Sequence, residues 1–341
     1  MGFRELDCLT RRGRPTKEVD KIDEEILKNL LEDGRKEFAL IAKQCGTSKK
    51  IIWNHYRELE KDRVIVGSTV HLNYAYFGFN AVGSIQINAE LSQVDNINNE
   101  IRKIPNIYGA YRLGKSLTTS VIVTLRTVDE LEKVKETIKR IPGVMALQTE
   151  IWTGVKNIPE NLKINSSLSN SEELVEKSKT SVQTSVISIC KIDEIDNKII
   201  EKLSFDGRMS FRKIAKELGI STDTVARRYK ELRRNNAIKV LIQIDPAKIG
   251  YLGHAIFLIA FAYQKTVGSV VETISNIPNV TLIMRTSGSY DLSVWVLIKN
   301  LEQLIWVQDE ISSIPGITKV QTSIVKSHCP WPGPKEYMST F

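Results

Sequence analysis

The residues best suited to chemistry sit in Ser221-Thr222-Asp223-Thr224-Val225-Ala226-Arg227-Arg228, followed by Arg233 and Arg234. Hydroxyls and a carboxylate opening a helix can hydrogen-bond base edges, and guanidinium groups beside them can neutralise phosphates. This is the chemistry of recognition rather than of bond breaking. Ser48-Lys49-Lys50-Ile51-Ile52-Trp53-Asn54-His55 repeats the frame with other side chains. There Lys49, Lys50, Asn54 and His55 supply donors and cations, and Trp53 could meet a base methyl or pack as a surface aromatic. Upstream, Arg12-Gly13-Arg14-Pro15 has the extended Arg-Gly-Arg form that fits a narrow minor groove. The plainer alternatives are a solvated basic helix and a basic tail that only touches phosphates.

Catalytic and metal-binding patterns are missing from the sequence. The four cysteines (Cys8, Cys45, Cys190, Cys329) include no C-x-x-C pair, and the four histidines (His55, His71, His254, His328) are equally scattered. Reduced thiols are expected, with no nucleophile–base pair, catalytic residue, metal or cofactor. The 341 residues suit two to four domains, and 42% hydrophobic with 26% charged residues describes a globular chain. No apolar run could span a bilayer, and the opening residues lack the apolar core of a signal peptide, so a cytoplasmic protein is expected. The formal charge of +8 permits an anionic partner, and its distribution says more. Residues 191–240 hold 13 Lys and Arg against 8 Asp and Glu, whereas 241–341 hold 7 against 7 and 20–66 hold 10 against 10.

The elements that must position these residues occur twice. An offset of 173 lays Asp33-Gly34-Arg35 on Asp206-Gly207-Arg208, Ile41-Ala42-Lys43 on Ile214-Ala215-Lys216, and Tyr56 on Tyr229. The same offset lays Ile104-Pro105-Asn106 on Ile277-Pro278-Asn279 and Ile141-Pro142-Gly143 on Ile314-Pro315-Gly316. Within each copy, Ile195, Ile199, Ile200 and Leu203 or their equivalents form one helix face, which Asp-Gly-Arg ends through a glycine C-cap. A short helix follows (Phe211–Leu218). Ser221 then caps a third helix whose Val225, Tyr229 and Leu232 face inward, the spacing of a helix-turn-helix. A wing-like strand comes next, Ile238–Ile244 in the second copy. Alternating strand and helix patterns then give βαββαβ, the ferredoxin-like split βαβ, repeated in the first copy across Ala81–Ile151. Each Ile-Pro stops a helix, and the Asn or Gly after it turns the chain into a strand.

The expected fold is therefore α+β, a tandem duplication of a winged helix-turn-helix domain plus a ferredoxin-like domain. Its divisions are a basic tail (1–19), helix-turn-helix (20–66), ferredoxin-like domain (67–154) and a Ser-, Asn-, Lys- and Glu-rich connector (155–192). The second helix-turn-helix (193–240), second ferredoxin-like domain (241–326) and a C-terminal tail (327–341) complete the chain.

Ile-Asp-x-x-Asp before Asp-Gly-Arg, then Ile-Ala-x-x-Leu-Gly-Ile-Ser, Arg-Arg-Tyr-x-x-Leu and Ile-Pro-Asn-Val, resembles the Lrp/AsnC family of transcription regulators. The resemblance implies double-stranded DNA as partner, dimerisation through the sheet of the βαββαβ domain, assembly into higher oligomers, and an amino acid or similar small effector. It also places the effector loop, whose family form is Gly-Asp-Tyr-Asp, on Gly288-Ser289-Tyr290-Asp291. There Asp291 would receive an ammonium group and Gly288 would let backbone approach it. The first copy's Gly114-Lys115-Ser116-Leu117-Thr118 keeps only the glycine. The expected function is a sequence-specific DNA-binding regulator acting as a covalent pseudo-dimer on an imperfect palindrome. Siroheme decarboxylases are similar to this family in architecture, so an enzyme on the same frame is the alternative reading, and a sensor that does not bind DNA is a third.

Overall fold

A computed structural model describes residues 17–112, 118–164, 192–262, 267–326 and 330–333, with the side chains of 108–112 and 118 left aside. The first copy opens with α1 (Lys21–Glu32), where Asp20 and Asp23 form a reciprocal capping box and Ile26, Leu27, Leu30 and Leu31 bury one face. Next come α2 (Phe38–Gln44) and α3 (Lys49–Lys61), the latter capped by Ser48 and burying Ile52, Tyr56 and Leu59. Strand β1 (Ile65–Leu72) leads into β2 (Ala81–Ala89), α4 (Val94–Ile101), β3 (Ile107–Arg112), β4 (Thr118–Leu125), α5 (Val128–Lys139) and β5 (Val144–Asn157).

The second copy repeats the order. It begins with α6 (Glu194–Phe205, capping box Asp193/Asp196), α7 (Phe211–Leu218) and α8 (Thr222–Arg234, capped by Ser221). Then follow β6 (Ile238–Ile244), β7 (Gly253–Phe261), α9 (Val267–Ser275), β8 (Val280–Ser287), β9 (Leu292–Ile298), α10 (Leu301–Ser313) and β10 (Ile317–Lys326). The turn residue after each Ile-Pro has a left-handed backbone: Asn106 (φ 68°), Gly143 (88°), Asn279 (65°) and Gly316 (97°). Asn and Gly tolerate that region best, which explains their recurrence there. Among the described residues no helix is long and apolar enough to cross a membrane.

Eight antiparallel strands form one sheet in the order β10-β7-β9-β8-β5-β2-β4-β3. Each half has the ferredoxin-like order 4-1-3-2, and β5 joins the halves by pairing with β8 from Ile151↔Ser287 to Asn157↔Leu282. The expected wings are one structure, since β1 pairs antiparallel with β6 in a two-stranded ribbon. Ser68 faces Ile242 and Thr69 faces Leu241. With the offset of 173, exchanging the copies maps these two pairs onto each other, so a pseudo-twofold axis passes between them.

Each helical head packs on the ribbon strand of the other copy. Ile26, Leu27 and Leu30 of the first head share a core with Ile242 and Ile244 of β6 and with Trp331. Ile199 and Leu203 of the second head share one with Val70 and Leu72 of β1. This packing corrects the reading of the Asp-Gly-Arg glycines as left-handed caps. Neither Gly34 nor Gly207 has a positive φ. A Cβ on Gly34 would lie 2.7 Å from the Leu241 carbonyl carbon, and one on Gly207 would lie 2.8 Å from the Thr69 carbonyl oxygen. Glycine is needed there because the backbones of the two copies touch.

The connector expected from 155 begins as structure. β5 runs to Asn157, and the Asn161 side chain donates to the carbonyls of Ser275, Ile277 and Val280 at 3.2, 2.9 and 3.0 Å. Leu162 and Ile164 enter the core of the first head. The C-terminal tail docks as well: Trp331 exchanges backbone hydrogen bonds with Ile244 (2.6 and 2.9 Å), on the side of β6 away from β1. Expected features at 1–16, including Arg12 and Arg14, and at 165–191 lie outside the described residues, as does the turn at 113–117.

Candidate nucleic-acid interface

Helix α8 presents a cationic outer face because its apolar residues recur on the opposite side. Thr222, Asp223 and Arg227 are exposed, while Thr224 is half-buried with its hydroxyl 2.9 Å from that of Ser221. Asp223, Ala226, Arg227, Lys230, Glu231 and Arg234 line a shallow concavity along this face. Arg227 pairs with Glu231 at 3.1 Å, but both side chains are largely exposed, so the pair is weak and leaves the guanidinium available. Exposed Arg212, Lys213 and Lys216 on α7, with Lys230, add cations that the motif spacing alone did not single out. The local excess of charge over 191–240 was the signal for them.

Arg228 does not belong to this face. Its side chain is 18% exposed and its guanidinium bonds Asp193 at 2.6 Å and Asp196 at 2.9 Å, the two acids of the α6 capping box. Those carboxylates raise the Arg228 pKa, and the Asp196 amide together with the guanidinium holds Asp193 below its ordinary value. The expected phosphate contact is therefore an internal clip between α6 and α8. Arg233 is likewise engaged across the copies, with Asp33 at 2.9 Å.

Helix α3 is a different surface on the same frame. Ser48, Lys49, Lys50 and Asn54 are exposed as expected. His55 is not a groove residue: it stands where the second copy has Arg228, with Nδ1 2.9 Å from Asp23 Oδ1 and 3.7 Å from Asp20 Oδ2. Asp20, Asp23 and His55 are the one group among the described residues with metal-ligand spacing, their atoms lying within 4.8 Å of one another. The equivalent place in the second copy takes a guanidinium, and the geometry is that of an ion-pair clip. Trp53 is 48% exposed but lies flat, its ring 6.1 Å from Tyr56 and 5.8 Å from Phe38, with the Arg57 guanidinium 5.7 Å over it. Of the two expected readings, these contacts match the packed surface aromatic, with about half of the side chain still exposed. Leu40 on α2 and Ile51 on α3 are also exposed, where the second copy has Lys213 and Thr224.

The expected effector loop is a self-satisfied hairpin. Asp291 Oδ2 accepts from the Phe261 amide at 3.0 Å, the Asp291 amide donates to Ile259 (2.8 Å), and its carbonyl accepts from Thr286 (2.9 Å). The Tyr290 ring is buried under Lys319 and its hydroxyl meets Gln321. Asp291 thus clamps the end of β7 through Oδ2, and the half-buried carboxylate is partly engaged within the hairpin. Gly288 and Ser289 remain exposed, and a Cβ on Gly288 would lie 3.8 Å from Glu150 of the first copy. Burial pushes the Glu150 carboxyl up. The first copy's loop at 114–118 lies outside the described side chains.

Comparison with known proteins agrees with this construction. Residues 192–233 match the AsnC-type helix-turn-helix domain, 254–329 match the Lrp/AsnC ligand binding domain, and 19–66 match a winged helix-turn-helix DNA-binding family. The HTH-type transcriptional regulator FL11 of Pyrococcus horikoshii is 36% identical over 139 residues, which cover 40% of this chain and 91% of that protein. An uncharacterized HTH-type transcriptional regulator of Pyrococcus abyssi is 32% identical over 143 residues, 41% of this chain and 90% of that one. Each relative thus corresponds to a single copy. The crystal structure of the siroheme decarboxylase NirDL matches end to end, covering 94% of both chains with a TM-score of 0.58. At 13% identity this is a likeness of fold, and it reproduces the tandem architecture. With two copies of one unit, each of a helix-turn-helix and a βαββαβ domain, the chain belongs to the Lrp/AsnC family.

Proposed function

We propose that the chain is a sequence-specific DNA-binding transcriptional regulator in which one polypeptide supplies both halves of a pseudo-dimer. One observation carries the reading: two Ser-capped reading helices, α3 and α8, are held about one pseudo-twofold axis by a ribbon with a strand from each copy. Helix-turn-helix dimers place two such helices in successive major grooves. Because the two outer faces carry different side chains, the two half-sites differ in sequence. The match of 254–329 to the Lrp/AsnC ligand binding domain supports modulation by a small molecule, an amino acid being the class that the family resemblance suggests. With Asp291 Oδ2 held by the end of β7, such a ligand would meet Gly288, Ser289 and the neighbouring seam between β5 and β8.

The test is selection of duplexes from genomic fragments, followed by affinity measurements between about 50 and 200 mM salt. A selected sequence should bind far more tightly than random DNA, with affinity falling steeply as salt rises. Equal affinity for selected and random duplexes, or binding insensitive to salt, would remove the reading.

The NirDL likeness favours one rival, an enzyme acting on a tetrapyrrole. His55 is in its clip, His71 is 1% exposed against Asn157, and His254 lies 5.8 Å from Trp295 and 5.9 Å from Trp331. Each of these three imidazoles is engaged by other residues of the chain, and we assign them no catalytic role. A shifted visible band on adding siroheme would revive the rival.

A further inference from the structure

Asp-Gly-Arg occurs at the same place in both copies, and the helix-turn-helix reading leaves its arginines without a task. The structure brings each into the other copy. The Arg35 guanidinium lies 4.4 Å from the Phe211 ring and 5.2 Å from the Tyr229 ring, and it donates to the carbonyls of Gly207 (2.9 Å) and Met209. Reciprocally, the Arg208 guanidinium lies 5.0 Å from Phe38 and 5.2 Å from Tyr56, and it donates to the Gly34 carbonyl. Phe211 and Tyr229, like Phe38 and Tyr56, are themselves in ring contact at 5.1 and 5.0 Å. A planar cation stacked on such a pair and held by carbonyls has one orientation.

Of the rings that receive these cations, Tyr229 and Tyr56 belong to the reading helices α8 and α3, and Phe211 and Phe38 to the helices α7 and α2 that precede them. Tyr229 follows Arg227 by two residues on α8, and Tyr56 follows Asn54 by two on α3. Each arginine therefore indexes the rotation of the opposite reading helix against its own head. Burial lowers the Arg35 pKa, as expected for a guanidinium taken from water for a packing role. The Gly34 amide donates to Val240 (2.7 Å) and the Gly207 amide to Ser68 (3.1 Å), so the turns that carry the arginines are pinned to the ribbon.

We propose that Arg35 and Arg208 are positioning residues that fix the separation and rotation of the two reading helices, and thereby the half-site spacing that the chain accepts. The spacing claim rests on the DNA-binding reading, whereas the positioning claim can be judged without DNA.

The experiment compares the full-length chain with Arg35→Gln/Arg208→Gln and with Phe38→Leu/Phe211→Leu, which keeps the cations but removes two stacking rings. Duplexes carry the selected half-sites at the selected spacing and with two base pairs added or removed, a rotation of about 70°. The unaltered chain should bind the shifted duplexes at least about tenfold more weakly. Both variants should flatten that preference to within about threefold while keeping the affinity for a single half-site. An unchanged spacing profile would overturn the proposal. So would an equal loss on every duplex, single half-sites included, since that is what simple loss of folding does.

Spin labels at Lys49→Cys and Thr222→Cys, with the four native cysteines replaced by serine, give the DNA-free readout. The distance distribution should be single and narrow in the parent and broad in both variants. Narrow distributions in all three would overturn the proposal. A parent chain that binds no duplex would sink the regulator reading alone, with the distances still deciding the clasp.

Discussion

Arg228 and His55 are the same position in two copies, and they show what one side chain does for a reading helix. Arg228 bridges both acids of its capping box, at 2.6 and 2.9 Å, while His55 reaches one at 2.9 Å and leaves the other at 3.7 Å. Arg228→Ala should therefore destabilise the second head by about 1–3 kcal/mol at pH 7, read by urea denaturation. The pH dependence has a definite sign. Asp193 is held below its ordinary value in the folded chain, so the unfolded chain takes up its proton first as acid is added. The contribution of this pair is present above the ordinary carboxylate range and is lost as the pH falls through the depressed value. The gap between parent and Arg228→Ala should narrow as the pH is taken down past the ordinary carboxylate range, and a gap that stays constant through acidification would mean the loss is one of packing. His55→Arg should add the missing bond and raise the stability of the first head by about 0.5–1 kcal/mol in the same assay.

At the scale of elements, the cross-copy packing sets the expectation. Ile242 belongs to β6 of the second copy but is fully buried in the core of the first head. Ile242→Ala should cost about 2–4 kcal/mol, and hydrogen exchange should speed up in α1 at 21–32 before it does in α6 at 194–205. The reverse order would mean that each head is stabilised by its own wing. The helices and the βαββαβ order were legible because apolar spacing, Ser and Asp caps, and Ile-Pro-Asn/Gly turns are local signals. Partners of strands are not local. Nothing in Ile65–Leu72 specifies that it pairs with Ile238–Ile244, or in β5 that it continues past Ile151 to meet β8. The Asp-Gly-Arg turn was visible as a repeat, yet its glycine was read as a cap because its neighbour across the axis is 207 residues away along the chain (Gly34 to Leu241). The candidate site followed the same rule. Exposed Thr222, Asp223, Arg227, Lys49, Lys50 and Asn54 were readable from helix phase, whereas the capture of Arg228, His55 and Asp291 depends on carboxylates and amides brought in from other elements.

For the whole molecule, the two heads share one frame and differ in charge. Residues 191–240 carry 13 cationic against 8 anionic side chains, and 20–66 carry 10 of each. In the second head α7 exposes Arg212, Lys213 and Lys216 and α8 exposes Arg227, Lys230 and Arg234, while in the first head α2 exposes Leu40 and α3 exposes Ile51 and Trp53 along with Lys49 and Lys50. Counterions are released in proportion to the phosphates neutralised, so the second head should supply most of the salt-dependent affinity and the first should contribute mainly to sequence choice. Arg227→Ala/Lys230→Ala should lower the magnitude of the slope of log affinity against log salt by about 2, weakening all sequences alike. Lys49→Ala/Lys50→Ala should lower it by less than about 1, because acidic side chains already offset the cations of that head. Asn54→Ala, which removes no charge, should leave the slope unchanged and relax the base preference in one half-site only. Equal slope losses in the two double variants would show that both heads grip phosphate alike, and the division of labour between them would fall.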